Sequence, residues 1–300
     1  MFIITLVILA FTCHSCGQPE VKVVNKEEEK KVDVLIGGKL FTSYIYPEDI
    51  KKPVLWPVIT SGGNEVTRQF PLKIKAGERV DHPHHVGIWL NYGDVNGLDF
   101  WNNSEAIPAE KADGYGTIYH ESVESAKDGK GSGKLITSSS WKDHSGKKLL
   151  HEVTKFTFSV DGDTRIIDRE TTLKAVNGKV NITDNKEGMF AIRVTRDLEL
   201  PSSGKMKVAD SHGNITEVDA SGDKSATGSY LSSEGIKDDA VWSTRGRWVK
   251  LSGVVNGEQV AIVIFDHPQN AGYPTYWHAR GYGLFAANNL GQKVFSNGKE

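Results

Sequence analysis

Residues 156–160 read Phe-Thr-Phe-Ser-Val, and this apolar–polar alternation recurs along the chain, while no segment sustains a helical period. Alternation puts Phe156, Phe158 and Val160 on one face of a strand and Thr157 and Ser159 on the other. Further strand candidates are VLIGG, YIY, VLWPVIT, TIYHESVES, KLITSSSW, TRIIDRETTL, RWVKLSGVV and VAIVIF, all rich in β-branched and aromatic residues. Between them stand the turn signals SGGN, DGKGSGK, HSGKK, VDGDT, VNGK and VNGE, and glycine totals 31, enough for many tight connections. The pattern predicts an all-β chain folded as a large antiparallel β-sandwich.

The chain has 300 residues with 38% hydrophobic content, which allows one large domain or two modest ones. Residues 33–300 show no linker and no fixed-period repeat, so they read as a single β-sandwich domain. The ending VFSNGKE is turn-like, as though another strand should follow. A formal charge of −2 provides no basic field for nucleic acid.

The N-terminal run from Phe2 to Phe11 is apolar but shorter than the roughly 20 residues that span a bilayer. It suits the core of a secretion signal. The chain has 2 cysteines, Cys13 and Cys16, both in this stretch, so the body needs no disulfides. HSCG resembles the end of a bacterial lipoprotein signal, with residues 1–16 as the signal and Cys16 as the lipidated residue. A plain secretion signal is the alternative, and no lysine or arginine follows Met1. Either way the chain is expected to be exported, as a periplasmic or outer-membrane lipoprotein touching the membrane only through its anchor. Residues 17–32 are polar and charged, and read as a solvated tether.

Three stretches could carry chemistry. In EGMFAIRV, strand alternation sends Gly188, Phe190, Ile192 and Val194 to the core and Glu187, Met189, Ala191 and Arg193 to the other face. A carboxylate and a guanidinium on one face can line a groove, or can simply be a solvated ion pair. In DHPHHVGIWLNYGDVNGLDFW, Pro83 makes His82 extended, and a strand starting near His84 would face His84, Val86, Ile88 and Leu90 inward. His85, Gly87, Trp89 and Asn91 would then point the other way. Imidazoles titrate near neutrality and can carry protons or ligate a metal, though a lone buried histidine such as His84 is commonly structural. The tripeptide Asp-His-Pro occurs at 81–83 and again at 266–268.

The third stretch, FDHPQNAGYPTYWHARGYGLFAAN, follows a buried strand with Asp266 and His267, then Tyr276, Trp277 and His278. Flat sugar faces stack on aromatic rings while acids, amides and arginines bond the hydroxyls. Asp94, Asn96 and Trp101 offer the same mixture, and Arg247 is expected to point inward from WSTRGRWV. The plainer reading is that these aromatics anchor long loops. A metal is the competing cofactor: His82 and His84 superficially resemble a cupin's H-x-H. Ile88 and Trp89 replace the expected glutamate, and further ligands would have to come from His212, His267, His278 or a carboxylate.

These three motifs, in order between Pro53 and Gly291, resemble DUF6807, a bacterial family of unknown function often labelled PmoA or "methane oxygenase". Family members carry a further strand after this point. The methane label implies an integral membrane protein, and beyond its N-terminal stretch this chain has no apolar run of roughly 20 residues. The resemblance also implies a galactose-mutarotase-like β-sandwich, a superfamily that isomerises, cleaves or binds carbohydrates. Its enzymes set a histidine acid and a glutamate base across a sugar, but no motif here carries those two over residue by residue. Strand geometry instead nominates Glu187 with His82, His85 or His278 as catalytic groups, with Asp266 or Asp94 as a second carboxylate in a paired-carboxylate glycosidase variant, and Arg193 and Arg247 as holders of a substrate. The expected activity is therefore general acid–base chemistry on a sugar or glycoside, without a required cofactor. Its competitors are a non-catalytic carbohydrate-binding protein and a metal-dependent oxygenase or hydrolase.

Overall fold

A computed structural model describes residues 17–299. The strands in chain order are β1 (Glu20–Lys26), β2 (Lys31–Ile36), β3 (Lys39–Ile45), β4 (Val54–Val58), β5 (Ile88–Tyr92), β6 (Thr117–Lys127), β7 (Gly129–Lys130), β8 (Ser132–Lys142) and β9 (Lys148–Asp161). There follow β10 (Thr164–Ala175), β11 (Gly188–Arg193), β12 (Lys205–Ala209), β13 (Ile215–Asp219), β14 (Ser229–Ser232), β15 (Trp248–Val255), β16 (Glu258–Phe265), β17 (Tyr276–Arg280) and β18 (Leu284–Asn288). A nine-stranded sheet runs β17-β18-β11-β5-β4-β3-β2-β1-β7, beside a four-stranded sheet β10-β9-β8-β6, a three-stranded sheet β14-β15-β16 and the hairpin β12-β13. The expected all-β sandwich is what the chain forms.

The turn chemistry explains the hairpins. Asn256 and Gly257 take φ of 49° and 84° between β15 and β16, the left-handed pair that lets a two-residue turn follow the strand twist. One face of the nine-stranded sheet, carrying Val32, Val34, Leu55, Ile192, Phe285 and Trp277, shares a single apolar core with Phe156 and Phe158 of the four-stranded sheet and Val249 and Leu251 of the three-stranded sheet. The opposite face carries a smaller cluster, with Trp56, Trp89, Trp101, Ala191 and Ala286. That second face holds the candidate site.

The structure departs from the expected tether. Residues 20–26 form β1, paired antiparallel with β2 from Val21↔Ile36 to Lys26↔Lys31. The cause is the alternation within VKVVNK: Val21 and Val23 are buried in the main core while the intervening lysine stays outside. Charge density hid a strand with one apolar edge. The expected signal segment and Cys16 lie outside the described residues.

Candidate functional site

Strand β11 divides its side chains as alternation predicts. Phe190 and Ile192 pair with Leu90 and Ile88 over the main core, while Ala191 lies opposite Trp89 on the second face. Arg193 joins that second face and organises it through its main chain as well as its guanidinium. Its N–H donates to the Gly87 carbonyl at 3.0 Å, and its carbonyl accepts the Arg68 N–H at 3.0 Å. The segments around residues 68, 81–87 and 193 are thereby brought together.

Asp81 is the hub. Its Oδ1 accepts Arg68 Nη1 at 2.7 Å and Arg193 Nη2 at 2.6 Å. Arg68 also donates to the carbonyls of Asp81 (2.7 Å), His82 (2.9 Å) and His85 (3.0 Å), so the whole histidine loop is strung on one guanidinium. Both arginines are buried. Burial works to raise the Asp81 pKa, but the His82 hydrogen bond and the charges of Arg193 and Arg68 prevail and hold it far below the usual carboxylate range.

The histidines around this hub differ in kind. His82 takes a left-handed φ of 43° rather than the extended conformation expected before proline, and its side chain is 41% exposed. Its Nδ1 lies 3.3 Å from Asp81 Oδ2, and its ring runs parallel to those of His85 (centroids 4.9 Å) and Tyr282 (5.1 Å). His85 is buried, and its Nδ1 lies 3.2 Å from Arg193 Nη1. A guanidinium only donates, so this nitrogen is the bare one and the proton of the neutral ring sits on Nε2. Burial first, then His84 and Arg193, push the His85 pKa well down. Its buried Nε2 and that of His84 have no hydrogen-bond partner among the described residues.

His278 approaches from β17. Its Nδ1–H donates to the Lys186 carbonyl at 3.0 Å, and Glu187 Oε2 lies 3.9 Å from the same nitrogen. Burial, then Arg280 and Lys186, push its pKa down to about 4. Trp101 bridges the two halves: its ring lies parallel to His278 at 6.4 Å and edge-on to His85 at 5.8 Å. The pairs Asp81–His82 and Glu187–His278 are thus joined through His85 and Trp101 in one continuous aromatic array.

The structure brings His82, His85, Arg193, Glu187, His278 and Trp101 into one cluster and puts the other nominated residues elsewhere. Asp266 is a loop anchor, accepting Asn270 Nδ2 (2.8 Å), Asn289 Nδ2 (2.9 Å) and the Thr275 N–H (2.8 Å). Trp277 is wholly buried in the main core with its Nε1–H on the Gly246 carbonyl, because strand alternation gives it the opposite face from His278. Arg247 is exposed, 3.9 Å from Glu234, and it is Arg245 that turns in, over the Tyr276 ring. Tyr276 stacks on Phe295, and His267 is exposed on its loop. Asp94 accepts the Gly97 N–H and Asn96 Oδ1 the Asn181 N–H, so both shape a turn rather than the cluster. The strand starts at Ile88, not His84, because Gly87 breaks it with a φ of 57°.

Arg68, Lys52 and Tyr282 were missed. Lys52 is buried, donates to the His84 carbonyl at 2.7 Å and lies 5.4 Å over the Trp89 ring. Burial pushes it down to about 7, with the Asp99 charge opposing. No local pattern in DIKKP or NEVTRQF marks these residues; only a burial prediction for a lone cation could have found them.

The donors do not suit the competing metal reading. Arg193 already occupies His85 Nδ1, two guanidiniums crowd the loop, and no group of three or more His, Cys, Asp or Glu side chains is disposed around a common ion position among the described residues. Comparison with curated proteins and with solved structures found no match in either. Residues 31–299 match the profile of DUF6807, a family of unknown function, and with that span of agreement the chain belongs to this family.

Proposed function

We propose that this chain is an exported carbohydrate-active protein with a galactose-mutarotase-like β-sandwich, acting on a sugar or glycoside by general acid–base chemistry. The observation that carries the reading is the Asp81–His82 pair: a 41% exposed imidazole with Nδ1 3.3 Å from a carboxylate that two buried guanidiniums keep ionised. Asp81 would hold the Nδ1–H, leaving Nε2 to take a proton from a sugar hydroxyl and return it to the departing or ring oxygen. Glu187, beside His278, supplies the second acid–base group. The 41% exposed His82 ring, stacked on Tyr282, is the surface offered to a flat sugar face.

The test uses His82→Asn, since asparagine tolerates the left-handed backbone at this position, and Glu187→Gln. Anomer interconversion and glycoside cleavage are followed across a sugar panel. Both variants should lose about 10²–10⁴-fold in rate while still binding. A wild-type chain that binds sugars but turns none over would sink the catalytic reading. The 3.9 Å gap between Glu187 and His278 is the observation that favours a binding-only protein, and the same panel decides it.

A further inference from the structure

Resting on the carbohydrate reading, we infer that the sugar taken by this site is acidic, and that Arg280 receives its anionic group. Arg280 ends β17 two residues beyond His278, so strand alternation sets both on the second face. Its guanidinium lies 5.8 Å from the centroid of Tyr282 and 5.4 Å from that of Trp242. The Tyr282 ring is shared: Arg193 lies 4.9 Å from it, and His82 stacks parallel to it at 5.1 Å. Arg280 therefore stands next to the ring on which His82 lies.

Its charge is unmatched there. Arg68 and Arg193 share Asp81, and Lys186 matches Glu187 at 3.2 Å. The Arg280 guanidinium forms no ion pair with a carboxylate among the described residues, and its neighbours are the Trp242 and Tyr282 rings. Asp81 is thus shared by two guanidiniums and Glu187 is matched by Lys186, which leaves Arg280 as the arginine of this face without a carboxylate within ion-pair distance among the described residues. Arg280 is only half-buried, in contrast to the buried Arg193 and Arg68, so of the three it is the one a ligand can reach. A guanidinium beside aromatic rings and without a carboxylate partner can turn its N–H edge to the two oxygens of a carboxylate or to a sulfate. Rings that stack on a sugar and a fork that takes an anion define a charged monosaccharide unit.

Binding is measured calorimetrically for uronic-acid oligosaccharides, sulfated oligosaccharides and neutral oligosaccharides of the same linkage. The wild type should prefer an anionic sugar by about tenfold or more, with the preference shrinking as salt is raised. Carboxylated or sulfated ligands winning would identify the anion. Arg280→Gln should abolish the preference and Arg280→Lys retain part of it, each with an unchanged melting temperature, while Arg247→Gln, outside the cluster, should leave it intact. Equal binding of neutral and acidic sugars, or a preference that survives Arg280→Gln, overturns the inference but not the carbohydrate reading. Failure of every sugar to bind overturns both.

Discussion

Arg193 Nη2 and Asp81 Oδ1, 112 positions apart in the chain, meet at 2.6 Å, and the same oxygen takes Arg68 at 2.7 Å. One carboxylate thus compensates two buried cations. Removing one partner from a buried pair costs about 3–5 kcal/mol, because the remaining charge is left desolvated. Asp81→Ala is expected to fall in that range by urea denaturation, and Asp81→Asn to cost less because an amide oxygen still accepts. A loss below about 1 kcal/mol in Asp81→Ala would show that the arginines find other compensation.

Gly87 is the joint between the histidine loop and β5. Its φ of 57° is one that L side chains rarely adopt, and a Cβ there would run into the Leu55 carbonyl oxygen and the Trp56 side chain. Gly87→Ala should destabilise by roughly 2–4 kcal/mol through strain and clash together, read from the shift in urea midpoint. A near-neutral substitution would mean the loop can re-seat without cost.

Acid should weaken the fold through its buried histidines. His278 falls from an ordinary 6.5 to about 4, by burial first and then by the charges of Arg280 and Lys186. Between those values the unfolded chain binds the proton and the folded chain does not. Stability is therefore full above about 6.5 and lost as pH falls toward about 4. His84, pushed down to about 2, and His85 act in the same direction, both chiefly by burial. Denaturation between pH 7 and 4.5 should show this decline, and His278→Gln should remove about 2–3 kcal/mol of it. An unchanged pH slope in the variant would contradict the buried, neutral assignment.

Lys52 predicts the same sign of trend, carried into the alkaline range. Burial, opposed by Asp99, brings its amine from 10.5 to about 7. From about 7 to 10.5 the unfolded chain holds the extra proton, so stability rises with pH across that window. Lys52→Met should therefore be more stable than the parent at pH 7, by on the order of 2–4 kcal/mol less the lost bond to the His84 carbonyl. The advantage should shrink by pH 10. A difference that stays constant with pH would place its origin in packing alone.

Much of the second face was legible locally. The assignment of Phe190 and Ile192 to one side and Ala191 and Arg193 to the other needed only the two-residue period, as did Trp89 opposite Ile88. The same rule applied to β17 would have sent Trp277 to the core once His278 was placed on the site. Locally that strand is hard to tell from a loop, because Gly272, Pro274 and Gly281 flank a run of only five residues. Residues 20–32 misled for a related reason: the alternating valines were outweighed by charges that merely face solvent.

Side-chain alternation and glycine-rich turns, both consequences of backbone geometry within a few residues, settled from sequence alone that this chain is a β-sandwich and which face of β11 could be functional. Tertiary structure decided which groups on that face meet. Asp81 became a hub because Arg68 reaches it from the loop segment between β4 and β5 and Arg193 from the distant strand β11, and Asp266, in the same Asp-His-Pro tripeptide, became a loop anchor because amide donors reach it instead. The physical reason is that a carboxylate's role depends on the charges and donors packed around it, and those are supplied by strand order rather than by neighbours in the chain.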